Sequence, residues 1–310
     1  CAFVEAGEIR FIISRVPKEL GPNWSNNYSI EYRKEWGIPT LEIRKKIREI
    51  VSFILGKQLL CVGFSEYDEQ GRFVKKVAAS PWGNNIIHAS KQPAIPPIKF
   101  DIGRRGLFEK VLSDLIPQYL NLCEELKLSA VLWRYWVSND QPIELALPIL
   151  HSGVEILAKA WSKSNRSKRK GVYLQREEYK KILGPEFEII KNRLLSTEYG
   201  NRMVSKITRA YEMSQNEMLY SFFDEISLPL GKHENNALRA RNKMAHDALR
   251  TSSKQEIVEA ICLTNAYKTF FHRIILKVLG YTGPYVDYSI PGYPVKDIDE
   301  PIGIYQDRPS

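Results

Sequence analysis

Cysteine is scarce in this chain of 310 residues, and its four copies, Cys1, Cys61, Cys123 and Cys262, stand far apart. They form no CxxC pair and no Cys/His quartet, which argues against structural zinc and for reduced thiols in a cytoplasmic setting. Long apolar runs are missing as well. None approaches the length of a membrane span, so no membrane partner is expected. The phosphate-cradling patterns GxxxxGK[ST] and GxGxxG are absent, as are HExxH, DxDxDG and GxSxG. Gly103-Arg104-Arg105-Gly106 is too poor in glycine to cradle a phosphate and reads as the lead-in to a helix. Together these absences argue against P-loop, dinucleotide, zinc-protease, EF-hand and serine-hydrolase chemistry. No metal and no cofactor is expected, and no internal repeat is visible.

What is present is a composition ordinary for a soluble globular protein, 44% hydrophobic and 26% charged. The formal charge of +9 favours an anionic partner. Nucleic acid fits, as does a phosphorylated metabolite, or solubility alone. The length allows two domains with a sizeable core, and one large domain is also compatible with it. The first residue is Cys, and Ala2–Val16 already has the pattern of structure. The chain therefore reads as a fragment with an upstream part missing, so the lack of a signal peptide carries no weight.

The fold class expected is α+β, a mixed region over 1–100 followed by a helical bundle over 101–280 and an irregular tail over 281–310. In the first part, Phe3, Ile9, Phe11 and Ile13 mark extended segments, and Leu41, Ile43, Ile47, Ile50, Val51 and Ile54 recur at helical spacing. Gln58–Tyr67 and Arg72–Ala79 predict a hairpin around Asp68-Glu69-Gln70-Gly71. The Pro- and Gly-rich stretch from Pro81 to Pro97 reads as loop and domain boundary. Beyond it, Phe108, Leu112, Leu115, Ile116 and Tyr119 share one helix face. Ile143, Leu147, Leu150, Val154, Leu157 and Trp161 form an apolar seam, with Pro148 expected to kink that helix or delay its start. Further helices are expected over Tyr179–Leu195, Met203–Tyr220, Asn236–Arg250 and Gln255–Leu279. The last is expected to turn Ile257, Ala260, Ile261, Thr264, Tyr267, Phe271, Ile274 and Ile275 inward. The tail either wraps the helices or stays mobile. It is expected to lack regular structure.

The segment richest in chemistry is Arg241-Asn242-Lys243-Met244-Ala245-His246. Arginine grips a phosphate through two prongs and is always charged, and histidine moves a proton near neutral pH. RNA brings its own nucleophile, the 2′-hydroxyl, so a protein need only move protons and stabilise the charge building on phosphorus. On an ideal helix Arg241 falls on the apolar face shared by Leu238, Ala245, Ala248 and Leu249, where a structural helix would prefer leucine. Asn242 and His246, four apart, are neighbours, and Arg239 lies on the same side. Arg241 and His246 are about 140° apart around a regular helix. The arginine stem can curl round, the helix can be irregular or start only near Arg241, or a second copy can complete the site.

An arginine and a polar residue followed four positions later by a histidine, on a late helix ahead of a long closing one, resemble the HEPN-superfamily ribonucleases, and the mixed N-terminal part resembles the Apea-like antiphage group. The resemblance spans roughly 126–279. It implies an all-helical, dimeric, metal-independent endoribonuclease leaving 2′,3′-cyclic phosphate and 5′-hydroxyl ends. Arg241 would stabilise the transition state, His246 would act as base or acid, and Asn242 would orient the histidine or bind a phosphate. Glu155, on an earlier helix, would fix Arg241. Arg239, Lys243, Lys168, Arg169 and Lys170 are candidates for holding RNA. The partners implied are RNA, a second copy, and a phage-derived or nucleotide trigger sensed by the N-terminal part, in a toxin-like defence role. The alternative is a non-catalytic dimerisation or nucleotide-binding module of the same fold.

Other histidines are weaker candidates. His151 and Glu155, at i and i+4, form a possible dyad that lacks a nucleophile and reads better as a packing pair. His233, in the turn before the motif helix, reads as surface. His88 and His272 read as structural or exposed. The basic run Lys163, Arg166, Lys168, Arg169 and Lys170, in a Ser/Asn-rich link, reads as a solvated loop or a phosphate-tracking patch.

Overall fold

A computed structural model describes residues 1–15, 28–78, 95–100, 105–246 and 253–303, with backbone only at 105, 144 and 240–246. The protein is α+β: ten α-helices with small antiparallel sheets among the described residues. Packing groups 1–154 with 228–310 in one unit and 155–227 in another. These positions differ from the boundary near residue 100 that composition suggests, because the N-terminal strands share a core with the helices that follow.

In the larger unit, β1 (Ala2–Ala6), β2 (Ile9–Arg15) and β3 (Tyr28–Glu31) pair in that order, all antiparallel. Ala6 faces Ile9 across a two-residue turn whose first residue, Gly7, takes the positive φ that such turns need. Alternation buries Val4, Ala6, Phe11 and Ile13 on one face. That side of β1 meets α2 (Arg105–Leu122), which packs on α1 (Leu41–Leu55). The α1 helix is capped by Thr40, whose side chain accepts from the Ile43 amide, and ends at Gly56 in the left-handed region. The expected hairpin forms from β4 (Gly63–Tyr67) and β5 (Phe73–Ala78), its turn held by Asp68 accepting from the amides of Gln70 and Arg72.

The helical part follows its apolar spacing. Next come α3 (Leu128–Asn139) and α4 (Ile143–Lys163). Pro148 does not delay α4, because Leu145 and Ala146 already donate to the Pro142 carbonyl and the first turn forms upstream of it. At the far end, α9 (Lys232–His246) pairs with α10 (Lys254–Val278). The core of this unit centres on Tyr135, stacked on Phe271 at 5.2 Å and edge-on to Phe53 and His272. The inward face expected of α10 holds at Ala260, Thr264, Tyr267, Phe271, Ile274 and Ile275, but Ile257 and Ile261 are 41% and 42% exposed. Residues 284–297 are not irregular. They form a hairpin of β6 (Pro284–Val286) and β7 (Val295–Asp297), and Val286 donates to the Pro97 carbonyl.

In the smaller unit, two expected helices each divide. Tyr179–Leu195 becomes α5 (Arg176–Leu183) and α6 (Glu186–Leu195), parted at Gly184, which has positive φ, and Pro185. Met203–Tyr220 becomes α7 (Gly200–Thr208) and α8 (Gln215–Glu225). Ser214 starts α8 afresh with a capping box to Glu217.

Candidate functional site

The motif helix is anchored at its beginning. Glu234, in the first turn of α9, is completely buried, and so is Arg273 of α10. They meet at 2.5 Å between Nη1 and Oε1. Glu234 also accepts from the amides of Gly231 (2.9 Å) and Ile302 (2.8 Å). Arg273 spends its other N–H groups on the carbonyls of Ile298 and Pro229, and its guanidinium lies 5.3 Å from the centre of the Tyr285 ring. A buried pair is worth having only when its remaining donors and acceptors are met. Here the backbone of 229–231 and of 298–302 meets them. Sequence reasoning missed this pair, although an arginine inside the apolar run Phe270–Leu276 signals a buried acid somewhere in the fold.

From that anchor α9 runs helically to His246 without interruption. The delayed start near Arg241 is therefore not what the backbone does, and positions 241 and 246 keep the separation of about 140° of a regular helix. Glu234, Ala237 and Leu238 form the buried stripe of its first turns. Arg239 is exposed. The side chains of Arg241, Asn242, Lys243 and His246 lie outside the described residues, as do His88 and Gly103-Arg104. Glu155 stands on α4, half-buried.

The remaining histidines are placed plainly. His151 is buried, and its Nδ1 meets the hydroxyl of Tyr267 on α10 at 2.5 Å, a contact within the helix packing. His272 is not exposed. It is fully buried, 2.8 Å from the Tyr135 hydroxyl, and burial followed by the nearby Lys268 charge pushes its pKa down to about 3. A histidine so held stays neutral and supplies no proton near neutral pH. His233 falls within α9 rather than in the turn before it and is half-buried, with Nε2 out of contact with water.

A cavity of about 320 Å³ beside α1 and the α2–α3 turn is lined by Lys45, Lys46, Glu49, Cys123, Lys127 and Ser129. Of its carboxylates, Glu49 accepts from Tyr119 (2.8 Å) and Ser129 (2.6 Å), and Glu124 pairs with Lys46 at 2.6 Å. Burial, then the Glu49 charge, raises the Tyr119 phenol well above its ordinary value. These contacts tie α1 to α2 and α3.

The basic link is an ordered turn. Glu225, at the end of α8, accepts from the amides of Lys168 (3.2 Å) and Arg169 (3.1 Å), from Trp161 Nε1 (2.8 Å) and from Ser167 Oγ (3.3 Å). Burial opposes its charge, but the bonds from Trp161, Arg169, Lys168 and Ser167 outweigh it and hold the carboxyl below its usual range. Lys163, Arg166, Lys168, Arg169 and Lys170 are all exposed, and Lys170 Nζ turns back to the Ser164 carbonyl.

Compared with protein-family models, with curated proteins and with solved structures, the chain finds no match. No helix among the described residues is long and apolar enough to cross a membrane.

Proposed function

We propose that the chain is a metal-independent endoribonuclease of the HEPN type, acting as a toxin-like antiphage effector in the cytoplasm under a phage-derived or nucleotide trigger. The observation that carries this reading is the Arg241-Asn242…His246 pattern on one uninterrupted helix whose start is pinned by a buried ion pair. A rigid support is what a general acid–base site requires, since a misplacement of about 1 Å can cost roughly 100-fold in rate. Arg241 stabilises the charge on phosphorus, His246 moves the proton of the 2′-hydroxyl or of the leaving oxygen, and Asn242 orients the histidine. The products are a 2′,3′-cyclic phosphate and a 5′-hydroxyl. The angular separation of positions 241 and 246 favours a homodimer in which the arginine and histidine of one centre come from different copies.

The test is incubation of total RNA with the protein, its trigger and a chelator. Wild type is expected to cleave. Arg241→Ala and His246→Ala, folded as wild type by circular dichroism, are expected to lose about 10²–10⁴-fold in rate. Cleavage undiminished in both variants places the chemistry elsewhere.

A further inference from the structure

We propose that the loop joining α4 to α5 is a built docking platform for the backbone of single-stranded RNA, a role that takes its choice of polyanion from the ribonuclease reading. A mobile basic loop needs only water. This one is fixed from beneath by Glu225, which takes two backbone amides and two side-chain donors from residues 161–169. Its far end is fixed as well: Lys170 Nζ returns to the Ser164 carbonyl, Met213 donates to Gly171, and Tyr173 donates to the Tyr211 carbonyl. Both Lys170 and Gly171 take positive φ to make this turn.

The bonds that shape the loop use backbone amides, serine, tryptophan and Lys170, so the side chains of Lys163, Lys168 and Arg169 stay exposed. Among the described residues, Lys163, Lys168 and Arg169 have no carboxylate within ion-pair distance, in contrast to Lys180 and Lys191 on α5 and α6. The charge most often used to neutralise such a cluster, a nearby acid, is turned inward here and spent on amides. Three residues past Lys170 stands Tyr173, 53% exposed. The Glu217 carboxylate beside it, followed by burial, raises its phenol above the ordinary value, while the ring stays open to solvent. Preset cations followed by an aromatic surface are the parts by which proteins hold single strands, the cations tracking phosphates and the ring stacking a base.

The experiment uses the full chain carrying Arg241→Ala and His246→Ala, so that binding is read without cleavage. Fluorescence anisotropy with an unstructured single-stranded RNA of about 20 nucleotides is followed from low to moderate salt. Replacing Lys163, Lys168 and Arg169 by glutamine keeps the amides that Glu225 uses, so the loop retains its shape. Three lost phosphate contacts are expected to make the log–log salt slope shallower by about 2, at roughly 0.7 per contact. Tyr173→Phe is expected to bind as the parent does, and Tyr173→Ala about fivefold or more weaker. An unchanged slope in the triple variant overturns the platform. Equal affinity for a duplex RNA, with Tyr173→Ala neutral, overturns the single-strand assignment. If wild type never cleaves RNA but the slope still falls, the catalytic reading fails and the platform stands.

Discussion

Three buried charged or titratable side chains, Glu234, Arg273 and His272, carry more of this protein's behaviour than their neighbours. Glu234 and Arg273 are completely buried against each other, so removing one leaves the other charged and without its partner. Glu234→Ala or Arg273→Met is expected to cost about 3–5 kcal/mol, and the double change Glu234→Leu with Arg273→Met less than either. Urea denaturation checks both, and single losses below about 1 kcal/mol would mean that the pair is not what fastens α9. His272 gives a pH signature. Its pKa in the fold is about 3 and its ordinary value 6.5, so the unfolded chain takes up the proton first as pH falls. This residue's contribution is complete above about 6.5 and is lost progressively toward 3, with a slope of up to about 1.4 kcal/mol per pH unit. Plotting stability against pH for wild type and His272→Gln is expected to show that the variant's curve is flatter between pH 4 and 6.

At the scale of elements, helix starts are set by local chemistry. Ser253 caps α10, accepting from the Glu256 amide while Glu256 accepts from the Ser253 amide. Ser253→Ala is expected to cost about 1 kcal/mol, read as a lowered melting temperature. Such signals explain what was legible in the sequence. Period-2 and period-3.6 patterns mark β1, β2, α1, α2, α4 and α10 because each buries one face. They fail where a pattern continues across a break, as at Gly184-Pro185 and at Ser214, since apolar spacing does not record whether the chain turns. They fail again at Ile257 and Ile261, where spacing defines a face but not whether anything packs on it. The candidate site was legible only as a string of residues, Arg241 to His246. Its anchor was not, because Arg273 and Glu234 lie 39 residues apart on different helices.

For the whole molecule, the uninterrupted course of α9 bears on how many copies would make one proposed centre. If arginine and histidine come from different copies, mixing Arg241→Ala chains with His246→Ala chains rebuilds intact centres in mixed dimers. Roughly a quarter of wild-type activity is expected after subunit exchange, since about half the dimers are mixed and each regains one of two centres. If both residues come from one copy, the mixture stays as inactive as its parts. RNA cleavage after co-refolding of the two variants decides between these arrangements.

The fastening of α9 also has a consequence in time. The amide of Ile302 and the carbonyl of Ile298 complete the bonding of Glu234 and Arg273, and both are translated well after His246. At about 5–20 residues per second, the ribosome delivers them some seconds later. During that interval the motif helix lacks its full hold. A nascent chain of this protein therefore carries positions 241–246 for some seconds before the bonds that fasten the start of α9 can all form.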